Sequence, residues 1–113
     1  MDIYKHLINM GPEVFYEPGF RIVLEDHLTY LINHPSSEVF TVEPGPAHKY
    51  EGDFYGLLQA YKLPAYMHWI IMRMNSMTSP MEYRDNKLDI LKPSAEVLEK
   101  IRNTYKSQTK LKK

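Results

Sequence analysis

The stretch that decides the fold begins Gly52-Asp53-Phe54-Tyr55-Gly56-Leu57-Leu58. It continues through Leu63-Pro64-Ala65-Tyr66-Met67-His68-Trp69-Ile70-Ile71-Met72-Arg73-Met74-Asn75 and closes with Lys87-Leu88-Asp89-Ile90-Leu91-Lys92-Pro93. Asp53 is a natural N-cap, and Phe54, Leu57, Leu58 and Tyr61 follow at the spacing of one helical face, which predicts a helix of about ten residues. Leu63-Pro64 ends it and restarts the chain, because proline disfavours helical geometry in the residue before it and suits a first turn. A second helix is expected over Pro64 to Asn75. Its core stripe is Met67, Ile70, Ile71 and Met74, while Tyr66, Trp69 and Arg73 form a second stripe on another side. A helix so apolar needs cover on more than one face.

The residues from Ser76 to Asn86 read as a turn-rich loop, and Leu88-Asp89-Ile90-Leu91 as a short strand closed by Lys92-Pro93. Upstream, Val39-Phe40-Thr41-Val42 is β-branched and aromatic and ends at Pro44-Gly45. Two short strands flanking two short helices give a β-α-α-β unit of about fifty residues.

That ordered set, with its Gly52-Asp53 helix start, Asn75 at the end of the second helix and the Leu88 to Pro93 ending, resembles the LysM fold from Val39 to Pro93. The Gly-Asp-Phe-Tyr-Gly-Leu-Leu start and the Trp69 to Asn75 helix are similar to the branch found in small structural proteins of bacteriophage tails, in particular the baseplate wedge proteins of contractile phages. The resemblance implies an α+β fold and a structural role in the virion. It also implies repeated copies around a tail axis, neighbouring tail proteins as partners, synthesis in the host cytoplasm, and no cofactor or catalytic residue. Enzyme-borne LysM modules pass from strand to Gly-Asp-Thr within a few residues, whereas here Glu43 to Glu51 intervenes. The alternative implied by the same fold is a carbohydrate-binding module for peptidoglycan or chitin. Its groove would lie between the Pro44 to Gly52 and Ser76 to Asn86 loops, with Tyr50 or Tyr83 stacking on sugars.

The chain has 113 residues, which suits one domain with a modest core. Lys plus Arg and Asp plus Glu number 14 each, so the net charge is zero. Binding to nucleic acid or an anionic membrane draws on summed positive charge, so a neutral chain is a poor candidate for either. Neutrality also favours self-association, which suits a subunit of an assembly. There is no cysteine, which excludes disulfides and thiolate metal sites. The first residues carry Asp2 and no long apolar run, so no signal peptide is expected. Nine Tyr and seven Met against one Trp are the side chains of an adaptable core or an interface.

Three segments are expected within one compact domain. Residues 1–37 are an N-terminal helical segment packed on the core, with a short helix over Asp2 to Asn9 and a longer one over Pro18 to Asn33. In the longer helix Phe20, Val23, Leu24, Leu28, Leu31 and Ile32 form the apolar stripe. A strand over Phe20 to Leu24 is the rival reading there, and the longer helical match outweighs it. Residues 38–94 are the LysM-like unit, in which Pro44 to Lys49 reads as a loop because Pro-Gly-Pro breaks regular structure. Residues 95–113 are a C-terminal helix capped by Ser94, with Val97, Leu98, Ile101 and Tyr105 on one face, followed by a basic tail expected to be mobile or ordered only on a partner.

His6, His27, His34, His48 and His68 show no recognised metal-binding pair, so no metal site is expected. His27 reads as a helix-surface residue, and His68 as a surface or boundary residue that could orient a partner contact. Asp85-Asn86-Lys87-Leu88-Asp89 has some likeness to a calcium loop but lacks its glycine and terminal glutamate, so it reads as a turn entering a strand. No nucleophile elbow, triad order or phosphate-cradling loop is present. The candidate interface is the second helical stripe, Tyr66, Trp69 and Arg73, whose residue types dominate binding hot spots. The competing reading puts that stripe beneath the chain's own Pro18 to Asn33 helix.

Overall fold

A computed structural model describes residues 11–111 of the chain. The expected Asp2 to Asn9 helix lies outside them. The described residues form six α-helices and one two-stranded antiparallel sheet, a mixed α+β arrangement. In chain order these are α1 (Pro18–Asp26), α2 (Leu28–Asn33), β1 (Glu38–Thr41), α3 (Pro44–Lys49), α4 (Phe54–Ala60), α5 (His68–Met74), β2 (Asp89–Lys92) and α6 (Ala95–Leu111). Short 3-10 turns occupy Gly11–Tyr16, Ala65–Met67 and Pro80–Glu82.

α4 starts as its sequence predicts. The Asp53 carboxylate accepts a hydrogen bond from the Gly56 N–H at 3.0 Å, which satisfies one of the unpartnered first-turn donors. A Cβ at Gly56 would collide with that carboxylate and meet the Tyr50 ring at 3.0 Å, so the cap fits only because residue 56 is glycine. Phe54, Leu57 and Leu58 point into the core and are fully buried, each stabilising the fold by roughly 1.5 to 3 kcal/mol. The helix has seven residues rather than about ten: it ends at Ala60, Lys62 follows at φ +65°, and the Leu63 N–H reaches back to the Leu58 carbonyl at 3.0 Å. The second helix of the pair opens as the Ala65–Met67 turn and continues as α5. It ends in the same way, with Ser76 at φ +65° and the Met77 N–H on the Met72 carbonyl at 3.1 Å. Met67, Ile70, Ile71 and Met74 are all buried, as the core stripe predicts.

The strands pair with Glu38 opposite Lys92 and Thr41 opposite Asp89, and the ladder extends through a 2.7 Å bond from the Val42 N–H to the Leu88 carbonyl. In an antiparallel pair the bonded positions alternate, so the backbone groups of Leu91 face away from β1. The buried Asn75 side chain meets them there. Its Oδ1 accepts from the Leu91 N–H at 2.9 Å, and its Nδ2 donates to the Leu91 carbonyl at 2.8 Å and to the Ile71 carbonyl at 2.7 Å. The sheet is thereby fastened to the end of α5.

Three further sequence expectations are corrected. The Pro18 to Asn33 helix is broken at His27 into α1 and α2, with His27 at φ −97° and ψ 8° and its Nδ1 bonded to the Val23 carbonyl at 2.8 Å. Pro44 to Lys49 is a helix rather than a loop. Pro44 and Pro46 both lie in its first turn, where backbone N–H groups have no helical acceptor, so neither proline removes a bond, and the Ala47 N–H closes the turn on the Glu43 carbonyl at 3.0 Å. Three α-helices therefore separate the strands. Finally, the C-terminal helix does not stop at Tyr105 but runs to Leu111. Among the described residues no helix is long and apolar enough to cross a membrane.

Candidate functional site

The stripe formed by Tyr66, Trp69 and Arg73 lies under the chain's own N-terminal segment. The Tyr66 ring stacks on Phe15 with centroids 4.8 Å apart, and Phe15 in turn meets Phe20 edge-on at 5.0 Å. The guanidinium of Arg21, on α1, sits over the Trp69 ring at 5.0 Å. Arg73 forms a two-pronged pair with Glu25, with Nε on Oε1 at 3.0 Å and the second nitrogen on Oε2, and its remaining amine donates to the Met77 carbonyl at 2.9 Å. The hydrogen bonds from Arg73 hold the Glu25 carboxyl below its ordinary range, and those to Glu25 raise the guanidinium. The three side chains are half-buried, so each keeps an edge toward solvent while its main contacts are internal. The competing expectation, cover by the Pro18 to Asn33 helix, is met for Trp69 and Arg73 through Arg21 and Glu25, whereas Phe15 over Tyr66 lies in a turn without periodicity that the sequence does not place.

The two tyrosines of the carbohydrate alternative differ in access. Tyr83 is only 1% exposed, its ring lies against Phe54 at 5.4 Å and its hydroxyl donates to the Lys87 carbonyl at 2.8 Å, so neither face is open to a sugar. Burial raises its phenol above the ordinary value. Tyr50 is half-buried beside a shallow cavity of about 470 Å³ that is also lined by Gly45, Pro46, Lys49, Ala60 and Tyr61. Of the histidines, His68 is buried, with Nε2 2.9 Å from the Leu63 carbonyl, and acts as an internal tie between the helices of the α4–α5 pair. His27 is half-buried at the α1–α2 break.

Apolar exposure is concentrated elsewhere. Ile22 on α1 is 63% exposed, and Tyr16, Tyr30 and Ile32 are also exposed, which places four of the six large exposed apolar side chains of the described residues between Gly11 and Asn33. The inner side of that segment covers the Tyr66, Trp69 and Arg73 stripe, while these four side chains remain open to solvent. Comparison of the chain with family models, curated proteins and solved structures finds no match.

Proposed function

We propose that the chain is a structural subunit of a bacteriophage tail, of the baseplate wedge type, in which a LysM-like unit spanning residues 38–94 is a rigid body that joins neighbouring subunits in a multi-copy ring. The observation that carries this reading is the exposed Tyr16, Ile22, Tyr30 and Ile32 set on the segment that already packs across α5. A neutral chain with apolar side chains held outward on a fastened segment fits contact with another protein better than contact with nucleic acid or membrane. The antiparallel β1–β2 pair, fastened to α5 through Asn75, supports the LysM-like description, with α3 as an added helix between the strands. In this reading Tyr66, Trp69 and Arg73 hold the contact segment from beneath and lend the interface their solvent edges. The role is non-catalytic and uses no cofactor, and the subunit resides in the virion.

The test is complementation of a phage lacking this protein, followed by imaging of its tails. Ile22→Asp with Tyr30→Asp is expected to leave the monomer folded, since neither side chain is core, and to abolish incorporation into particles. Each lost contact need weaken binding by only about 1 to 2 kcal/mol for a ring of many copies to fail. Normal tails in the complete absence of the protein would remove the structural role. Retention of the purified protein on washed peptidoglycan, lost with Tyr50→Ala, would favour the carbohydrate alternative instead.

A further inference from the structure

The turn between α3 and α4 and the loop before β2 bring together His48 and Glu51 with Asp85, which is more than thirty residues further on. His48 is in the last turn of α3, Glu51 lies in the turn before α4, and Asp85 lies in the loop leading to β2. One ligand-capable atom from each lies within 4.8 Å of the other two. We propose that His48, Glu51 and Asp85 form a binding site for a divalent transition metal of the zinc class, independent of any role in assembly.

The backbone around the three residues is held mainly by the contacts of Gly52 and Tyr83, which lie outside the cluster. The Gly52 N–H donates to the Tyr83 carbonyl at 2.8 Å, and Gly52 takes a left-handed φ of +79° that brings the turn carrying Glu51 against the loop carrying Asp85. Tyr83, two residues before Asp85, is anchored in the core by its ring and by its hydroxyl. The Asp85 N–H points at Glu51 Oε2 at 3.5 Å. Two carboxylates and an imidazole are thus presented from backbone whose position the fold already determines, so a ligand has only exposed side-chain rotamers left to order.

The spacing fits a metal. Bonds of about 2.0 to 2.2 Å to nitrogen and oxygen in tetrahedral geometry put neighbouring ligand atoms about 3.4 Å apart. His48 Nδ1 and Asp85 Oδ2 are 3.2 Å apart. A metal between them would take the Nδ1 lone pair of the tautomer that carries its ring proton on Nε2. Glu51, on a longer side chain, closes the third position by rotation of its χ angles. An imidazole with two carboxylates suits zinc and its neighbours, whereas calcium requires six to eight oxygen ligands, which this cluster does not supply. The His48 and Asp85 side chains are 80% and 43% exposed, so the remaining coordination positions face outward and accept water or a donor from another chain.

The test is calorimetric titration of the full chain with zinc chloride, with calcium chloride as the comparison. A saturable one-to-one zinc isotherm is expected. His48→Ala and Asp85→Asn should each weaken it at least tenfold, and zinc should raise the thermal midpoint of the wild type but not of the double variant. Both side chains lie outside the core, so the variants should keep the wild-type circular dichroism. Cobalt(II) in place of zinc provides a spectroscopic check, since its visible absorption reports ligand number and geometry directly. Absence of saturable zinc binding, binding of equal strength in the double variant, or calcium binding as strong as that of zinc would each overturn the proposal.

Discussion

Asn75 shows how much can depend on one polar residue. It ends α5, and its amide also supplies both partners for the outward-facing N–H and carbonyl of Leu91, acting as a one-residue strand beside β2. Removing the amide leaves the half-buried N–H and carbonyl of Leu91 without a protein partner, while the Ile71 carbonyl keeps its bond from the Asn75 N–H at 3.1 Å. Asn75→Ala should therefore cost about 1 to 3 kcal/mol, measured by urea denaturation. Asn75→Asp keeps the acceptor for the Leu91 N–H but sets a carboxylate against the carbonyls of Ile71 and Leu91. It should be the less stable of the two variants at neutral pH and recover as the carboxyl protonates. Stability of Asn75→Ala equal to wild type would show that the strand edge is satisfied in another way. The sequence marked Asn75 as a helix end because asparagine is common there, but nothing local indicated that its side chain would reach a strand sixteen residues on.

Among the elements, those legible in the sequence have local causes. The Asp53 cap and the apolar faces of α4 and α5 are written in residue type and spacing, and each is found, although α4 ends at Ala60, before the expected stop at Leu63-Pro64. What was not legible depends on position within an element or on distant partners. Pro44 and Pro46 break a helix in its interior but are tolerated in its first turn, and composition alone does not say which turn they occupy. The extension of α6 past Tyr105 follows from propagation being easy once the packed face of Val97, Leu98 and Ile101 has nucleated the helix. The ends of α4 and α5 carry a further expectation. Both close on a left-handed residue that is not glycine, Lys62 and Ser76, and a side chain in that region is disfavoured by about 1 to 2 kcal/mol. Ser76→Gly relieves the strain while loosening the unfolded chain, so a net gain of about 0.5 kcal/mol is expected from thermal denaturation. Ser76→Val should destabilise, because a β-branched residue tolerates positive φ least. Identical midpoints for the glycine and valine variants would remove the argument from backbone strain.

At the scale of the whole molecule, the segment from Gly11 to Asn33 is fastened at separate points. Phe15 stacks on Tyr66, Arg21 covers Trp69, Glu25 grips Arg73, and Phe20 packs against Tyr105 of α6 at 5.1 Å. In the proposed assembly the exposed set is thus held in place by a face whose one ion pair with α5, among the described residues, is Glu25–Arg73. Arg73 holds the Glu25 carboxyl below the ordinary 4.5, chiefly through its hydrogen bonds. A depressed acid favours the folded state above its unfolded value, and that contribution is lost as pH falls through the folded one. With the Glu25 side chain 38% exposed, screening limits the pair to about 1 kcal/mol. Glu25→Gln should therefore be less stable than wild type by about that amount at pH 7, and the difference should vanish in acid well below 4.5, where the wild-type carboxyl is also neutral. The sole tryptophan, Trp69, lies beneath the same segment and reports its docking. In Arg73→Ala, which leaves Glu25 without its partner, Trp69 emission should shift to the red at urea concentrations where far-ultraviolet circular dichroism is still native. Coincident fluorescence and dichroism transitions in that variant would mean instead that the segment and the core unfold as one unit. A pH-independent difference between Glu25→Gln and wild type would mean that the carboxylate contributes through packing rather than charge.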